Sequence, residues 1–94
     1  MNIVFIRHFD NRQYLFEVPE SIKLKEGDRV MVRNRRGEVY GICTCDSFEL
    51  KGSPLKAVVV AVGATLPLKP VVGRVCVTVV GRVRVKKFEG IDDV

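Results

Sequence analysis

Apolar and polar positions alternate with period two along most of this chain, the signature of half-buried strands rather than helices. Asn2 to Phe9, with Ile3, Val4, Phe5, Ile6 and Phe9 apolar, predicts a first strand. Asp10-Asn11-Arg12 predicts a turn, and Gln13 to Val18 returns with Tyr14, Phe16 and Val18 on one face. Pro19-Glu20-Ser21 ends that strand. Ile22 to Lys25 alternates again before the tight turn Glu26-Gly27-Asp28. From Arg29 to Arg33 the pattern sets Val30 and Val32 inward and Arg29, Met31 and Arg33 outward. Asn34-Arg35-Arg36-Gly37 is a hairpin connection in which Gly37 supplies a positive φ. Glu38 to Asp46 then places Val39, Gly41, Cys43 and Cys45 on one face and Tyr40, Ile42 and Thr44 on the other.

The second half is denser in valine. Ser47 to Pro54 reads as a polar connection, and Ala57 to Val62, apolar at every position, as a strand covered on both faces. Pro67 and Pro70 exclude regular structure from Gly63 to Pro70. Val71-Val72-Gly73-Arg74-Val75-Cys76-Val77 is echoed at an eight-residue offset by Val79-Val80-Gly81-Arg82-Val83-Arg84-Val85. This predicts one long strand, or two abutting ones, bent at Gly81. Its inward residues are then Val75, Val77, Val79, Val83 and Val85, and its outward ones Arg74, Cys76, Thr78, Arg82, Arg84 and Lys86. Glu89 to Val94 reads as an acidic, frayed tail. Eighteen valines in 94 residues favour strands, because β-branched side chains crowd a helix. The expectation is a single domain over residues 1–94, with little or no helix. Its fold class is all-β: a small antiparallel, partly closed β-barrel of six to seven short strands, since closure removes exposed edges.

Composition narrows the functional classes. Apolar residues make up 47% and charged residues 29%, a globular mixture rather than a disordered one. No stretch approaches the roughly 20 apolar residues that span a bilayer, and the first residues lack the pattern of a secretory leader. Three cysteines cannot all pair within the chain. A cytoplasmic location with free thiols is therefore expected, and no membrane partner. Sixteen Lys and Arg against eleven Asp and Glu leave a net charge of +5 and favour an acidic partner.

Gly27-Asp28-Arg29-Val30-Met31-Val32, followed by Arg36-Gly37-Glu38-Val39-Tyr40-Gly41-Ile42, combines a Gly-Asp turn, a strand, a Gly-containing hairpin and a second glycine where strands pack closely. This looks like the opening hairpin of Src-homology-type and ribosomal-protein-type small barrels. With Val4 to Arg7 and Tyr14 to Phe16 before it, it resembles more closely the first half of the polymerase-suppressor conserved-domain family. The resemblance covers about residues 2–46. It departs at Arg33-Asn34-Arg35, where the family has a Thr-Glu-type approach to its Arg-Gly turn. It implies a cytoplasmic, non-catalytic protein of regulatory or RNA-related assemblies, and assigns no site residue.

The charged positions supply the main candidate chemistry. Arg29, Arg33, Arg35 and Arg36 share one face and one tip; Arg74, Arg82, Arg84 and Lys86 form a second outward stripe. Alternate strand residues lie about 6.6–7 Å apart, close to the phosphate spacing of a nucleic-acid strand. Arginine also suits phosphate better than lysine does. These eight residues are the expected contacts to RNA or single-stranded DNA, with Tyr14, Tyr40 or Phe48 as stacking platforms if exposed. The competing reading is a pair of solvated faces whose charge protects strand edges. A further alternative is a protein–protein adaptor or homo-oligomer pairing through Ala57–Val62 as an edge strand.

Other chemistry is weaker. Cys43, Cys45, Cys76 and His8 number four possible zinc ligands, but Cys-x-Cys lacks the turn of a zinc knuckle, so no metal or other cofactor is expected. A Cys45–His8 dyad has no orienting third group, and Asp10, Glu17, Asp28 and Glu38 form no acid–base pair. No catalytic residue is assigned, and the expectation is a non-enzymatic protein. Pro67-Leu68-Lys69-Pro70 reads as a rigid connection.

Overall fold

The computed structural model describes residues 1–34 and 37–90, with 34, 76–80 and 84–90 described by their backbone alone. In chain order the elements are β1 (Asn2–Arg7), β2 (Gln13–Glu17), β3 (Arg29–Asn34), β4 (Gly37–Cys43), β5 (Phe48–Glu49), α1 (Gly52–Ala61), β6 (Val71–Val80) and β7 (Val83–Gly90). All seven strands belong to one sheet of order β2-β1-β4-β3-β6-β7, with β5 also pairing β1. Every strand pair is antiparallel. The period-two pattern therefore identified the class. It did not identify closure: the path ends at β2 and β7, so the sheet is open rather than a barrel. A single parallel bridge, Glu17 with Pro70, draws the start of β6 toward the end of β2, the Glu17 amide donating to the Lys69 carbonyl at 3.0 Å. Pro70 has no amide to extend it.

β1 is covered on both faces, which is why Ile3, Val4 and Ile6 are all fully buried. Val4 and Ile6 join Phe16, Val18, Leu24, Val30, Val32, Cys43 and Val71 in the main core, with Ile22, Val39 and Cys45 packed at its margin. Ile3 and Leu15, on the opposite face, meet Leu55 and Val59 of α1 and Leu68. The inward assignments of Val30, Val32 and Cys43 hold, whereas Met31, expected outward, is buried.

Ala57–Val62 is not a strand: Gly52–Ala61 is helical, and the run's last residue caps the helix. The edge-strand pairing proposed for this run has no edge to use. A uniformly apolar run carries no period, so only its flanks distinguish helix from strand. They favour helix. Pro54 sits in the first turn, where its missing amide costs nothing, and Gly63 follows the C-cap at φ +70°. Leu55 and Val59, one turn apart, are buried, while Val60 on the other side is 78% exposed. The expected polar connection before the helix also contains β5.

The valine-rich repeat does not bend at Gly81; it reverses there. β6 and β7 form a hairpin joined by Gly81-Arg82, with Gly81 at φ +63° as the first central residue of a two-residue turn. Reversal rather than continuation changes which residues share a face. Val79 is opposite Arg84 and Val77 opposite Lys86 in the register, so the proposed separation of inward valines from outward cations is lost. Val83, expected inward, is 62% exposed. Residues 89–90 end β7, and the rest of the expected tail lies outside the described residues. Among the described residues no helix is long and apolar enough to cross a membrane.

Candidate functional site

A cleft of about 710 Å³ opens where β1 ends, beside the start of β3 and the middle of β4. Its floor depends on Gly41. A Cβ at this position would overlap Ile6 Cγ2 and lie 3.1 Å from both the Arg7 carbonyl and His8 Nδ1. Only glycine allows β4 to approach the end of β1 this closely. The approach lets His8 Nδ1 sit 3.1 Å from the Tyr40 carbonyl. A carbonyl only accepts, so this hydrogen bond assigns the proton to Nδ1. The His8 ring is further held by Tyr14, with centroids 5.2 Å apart, and edge-on by Phe16 at 5.6 Å.

The rim is shaped by the turn after β1. Asn11 adopts φ +64°, which asparagine tolerates better than most residues, and its amide donates to the His8 carbonyl at 3.1 Å. Asp10 accepts from the Arg12 amide and from the Tyr14 hydroxyl, each at 2.9 Å. These bonds, the Arg12 amide foremost, hold the Asp10 carboxyl below its ordinary pKa. The turn leaves Phe9 96% exposed beside the cleft, although its place in the first apolar run suggested a strand residue.

The lining brings together Arg7, His8, Phe9, Arg29 and Tyr40 over Gly41, Ile42 and Val75, and among the described residues it includes no carboxylate. Neither Arg7 nor Arg29 has an ion-pair partner among the described residues. Two guanidinium groups in one concavity concentrate positive potential there. Tyr40 is 49% exposed, so the cleft pairs cations with accessible aromatic rings.

Of the eight expected contacts, those whose side chains are described are Arg29, Arg33, Arg74 and Arg82, and among them only Arg29 lines this cleft. Arg33 lies toward the far end of β3 and makes an exposed cross-strand ion pair with Glu38 at 3.3 Å, worth about 0–1 kcal/mol. Arg35 and Arg36 lie outside the described residues, although the Asn34–Gly37 pair and Gly37 at φ +109° bear out the hairpin around them. Arg74 is in β6, half-buried and engaged. Arg82 is exposed in the β6–β7 turn, and the side chains of Arg84 and Lys86 are outside the description. The second stripe is thus divided between two strands and a turn. Among the stacking candidates, Tyr40 is at the cleft and Tyr14 is committed to Asp10. Phe48 packs on Phe5 with centroids 6.4 Å apart, beside the second core cluster. Arg7 and Phe9 escaped the sequence reading, although Arg7-His8-Phe9 is a basic and aromatic cluster directly before a turn.

Among the described residues no three His, Cys, Asp or Glu side chains are grouped for a metal. The side chain of Cys76 lies outside the description. Cys43 is buried, and burial above all, with Asp28 and Cys45 adding to it, pushes its thiol up to about 12. It stays protonated at neutral pH and packs as a small hydrophobe.

No family model, curated protein or solved structure matches this chain.

Proposed function

We propose that the protein is a non-enzymatic binding module that holds single-stranded RNA or DNA in this cleft with little sequence specificity. The observation that carries the reading is the convergence of Arg7 and Arg29, neither ion-paired among the described residues, with exposed Phe9 and Tyr40 in one concavity. The arginines serve phosphates, and the two rings offer faces on which any base stacks. This combination favours an unpaired strand, whose bases can splay onto aromatic side chains, over a duplex whose bases are already stacked. The net charge of +5 adds non-specific attraction. A cytoplasmic role in an RNA-related assembly, as the partial family resemblance implies, fits this reading.

Amide chemical-shift mapping tests it. Addition of short oligouridine or oligothymidine is expected to move the resonances of Arg7 to Phe9, Arg29 and Tyr40 to Ile42 together. Shifts confined to the hairpin flanked by Arg33 and Glu38, or no shifts at low salt, would overturn the cleft assignment.

A further inference from the structure

The β6–β7 hairpin leaves the sheet at the edge of the cleft. β6 pairs with β3 only as far as Val75, opposite Arg29, and both residues line the cleft. Beyond Val75, among the described residues, the ladder partner of β6 is β7 alone, through five pairs from Cys76–Lys87 to Val80–Val83. At about 3.3–3.4 Å per residue, five pairs extend about 17 Å past the sheet. The molecule measures 49 Å along its long axis against 28 and 22 Å across.

A two-stranded ribbon alone is marginally stable in water, so this projection calls for a partner. Residues 76–88 contain Arg82, Arg84, Lys86 and Lys87 and no Asp or Glu. Packing against the ribbon of a second copy would set like charges together, whereas a polyanion neutralises them. Duplex DNA has the matching shape. Its major groove, about 12 Å wide and 8.5 Å deep, admits a two-stranded ribbon, while the groove of an RNA duplex is too deep and narrow. The two-residue turn at Gly81-Arg82 keeps the leading end narrow. About 17 Å corresponds to roughly five steps of about 3.4 Å along a duplex.

The geometry points to a junction as the ligand: duplex DNA in contact with the ribbon, continuing into a single-stranded tail held in the cleft from which the ribbon springs. This rests on the single-strand reading of the cleft and adds the neighbouring structure of the nucleic acid. Linking the two contacts makes the second one intramolecular.

Fluorescence anisotropy with four labelled probes tests the inference: an oligothymidine, a blunt DNA duplex, the same duplex carrying the oligothymidine as a tail, and an RNA duplex carrying that tail. The tailed duplex is expected to bind at least about tenfold more tightly than either part. Gln at positions 82, 84, 86 and 87 together (Arg82→Gln, Arg84→Gln, Lys86→Gln, Lys87→Gln) is expected to abolish that gain, with the thermal unfolding midpoint as the check on folding. A tailed duplex that binds no better than its tail overturns the junction inference and leaves the cleft reading standing. So does an equal gain with a tailed RNA duplex, or a gain that survives the fourfold substitution. Absence of oligothymidine binding overturns the cleft reading itself. A wild-type dimer on sizing that the fourfold variant loses would replace DNA with a second copy as the ribbon's partner.

Discussion

Replacing Gly41 with alanine is expected to destabilise the fold by about 1–3 kcal/mol, the usual cost of forcing extra volume into a packed region. Gly41 has no special backbone requirement; the cost arises from what a new Cβ would meet. Ile6 Cγ2 is in the way, and Ile6 is fully buried in the main core, so it cannot swing aside. The Arg7 carbonyl belongs to the backbone of β1 and is no easier to move. Ile6→Ala alone is expected to cost about 2–5 kcal/mol through lost burial and the cavity left behind. Because it also removes the obstructing methyl, the two substitutions together are expected to cost less than their sum, by about 1 kcal/mol or more. Urea denaturation of the two single variants and the double variant measures this. Strict additivity would mean that Gly41 is not held against Ile6 as described.

The second large effect concerns the cleft and separates its two kinds of contact. Base–aromatic stacking contributes about 1–3 kcal/mol per base, so Phe9→Ala with Tyr40→Ala is expected to weaken single-strand binding by about 2–6 kcal/mol. The dependence on salt should stay as it was, because neither ring neutralises a phosphate. Arg7→Ala with Arg29→Ala should do the opposite to the slope, removing about 1.4 log units per tenfold change in salt if each guanidinium serves one phosphate. The loss of affinity should then shrink as salt rises. Phe9 and Arg7 are exposed, so neither pair of changes removes buried surface from the core. Anisotropy titrations of both double variants at several salt concentrations distinguish the roles. An unchanged slope in the arginine variant would detach Arg7 and Arg29 from phosphate binding.

Period two made the sheet legible, and it did so best where one face is buried and the other wet. In β3 the alternation of Val30 and Val32 with Arg29 and Arg33 sufficed, and Gly37 marked its hairpin with β4. Where alternation disappears, so does the information. Ala57 to Val62 is apolar throughout, and the helix had to be read from Pro54 and Gly63 at its flanks. The repeat across Val71 to Val85 suggested continuation because its offset is even, yet a glycine followed by one polar residue is also sufficient for a two-residue reversal. That one difference divided the second arginine stripe and produced the ribbon.

The cleft was legible only in part. Arg29 was recognised as an outward position and Tyr40 as a stacking candidate if exposed, but their meeting with Arg7 and Phe9 depends on β1 pairing with β4, a contact between segments more than thirty residues apart. Strand alternation says which face a residue occupies and nothing about which strand lies next to it. Gly41 was the accessible clue. A glycine at a strand interior signals a close approach of backbone, and the approach it permits forms the floor of the site.

The most direct test of the central claim is the affinity of the wild-type protein for labelled single-stranded RNA and DNA, measured by anisotropy from low to physiological salt. Micromolar or tighter binding that persists at physiological salt and weakens by about 1.4 log units per tenfold increase in salt is the expected result. Absence of binding even at low salt would contradict the account and leave the +5 charge as a contribution to solubility alone.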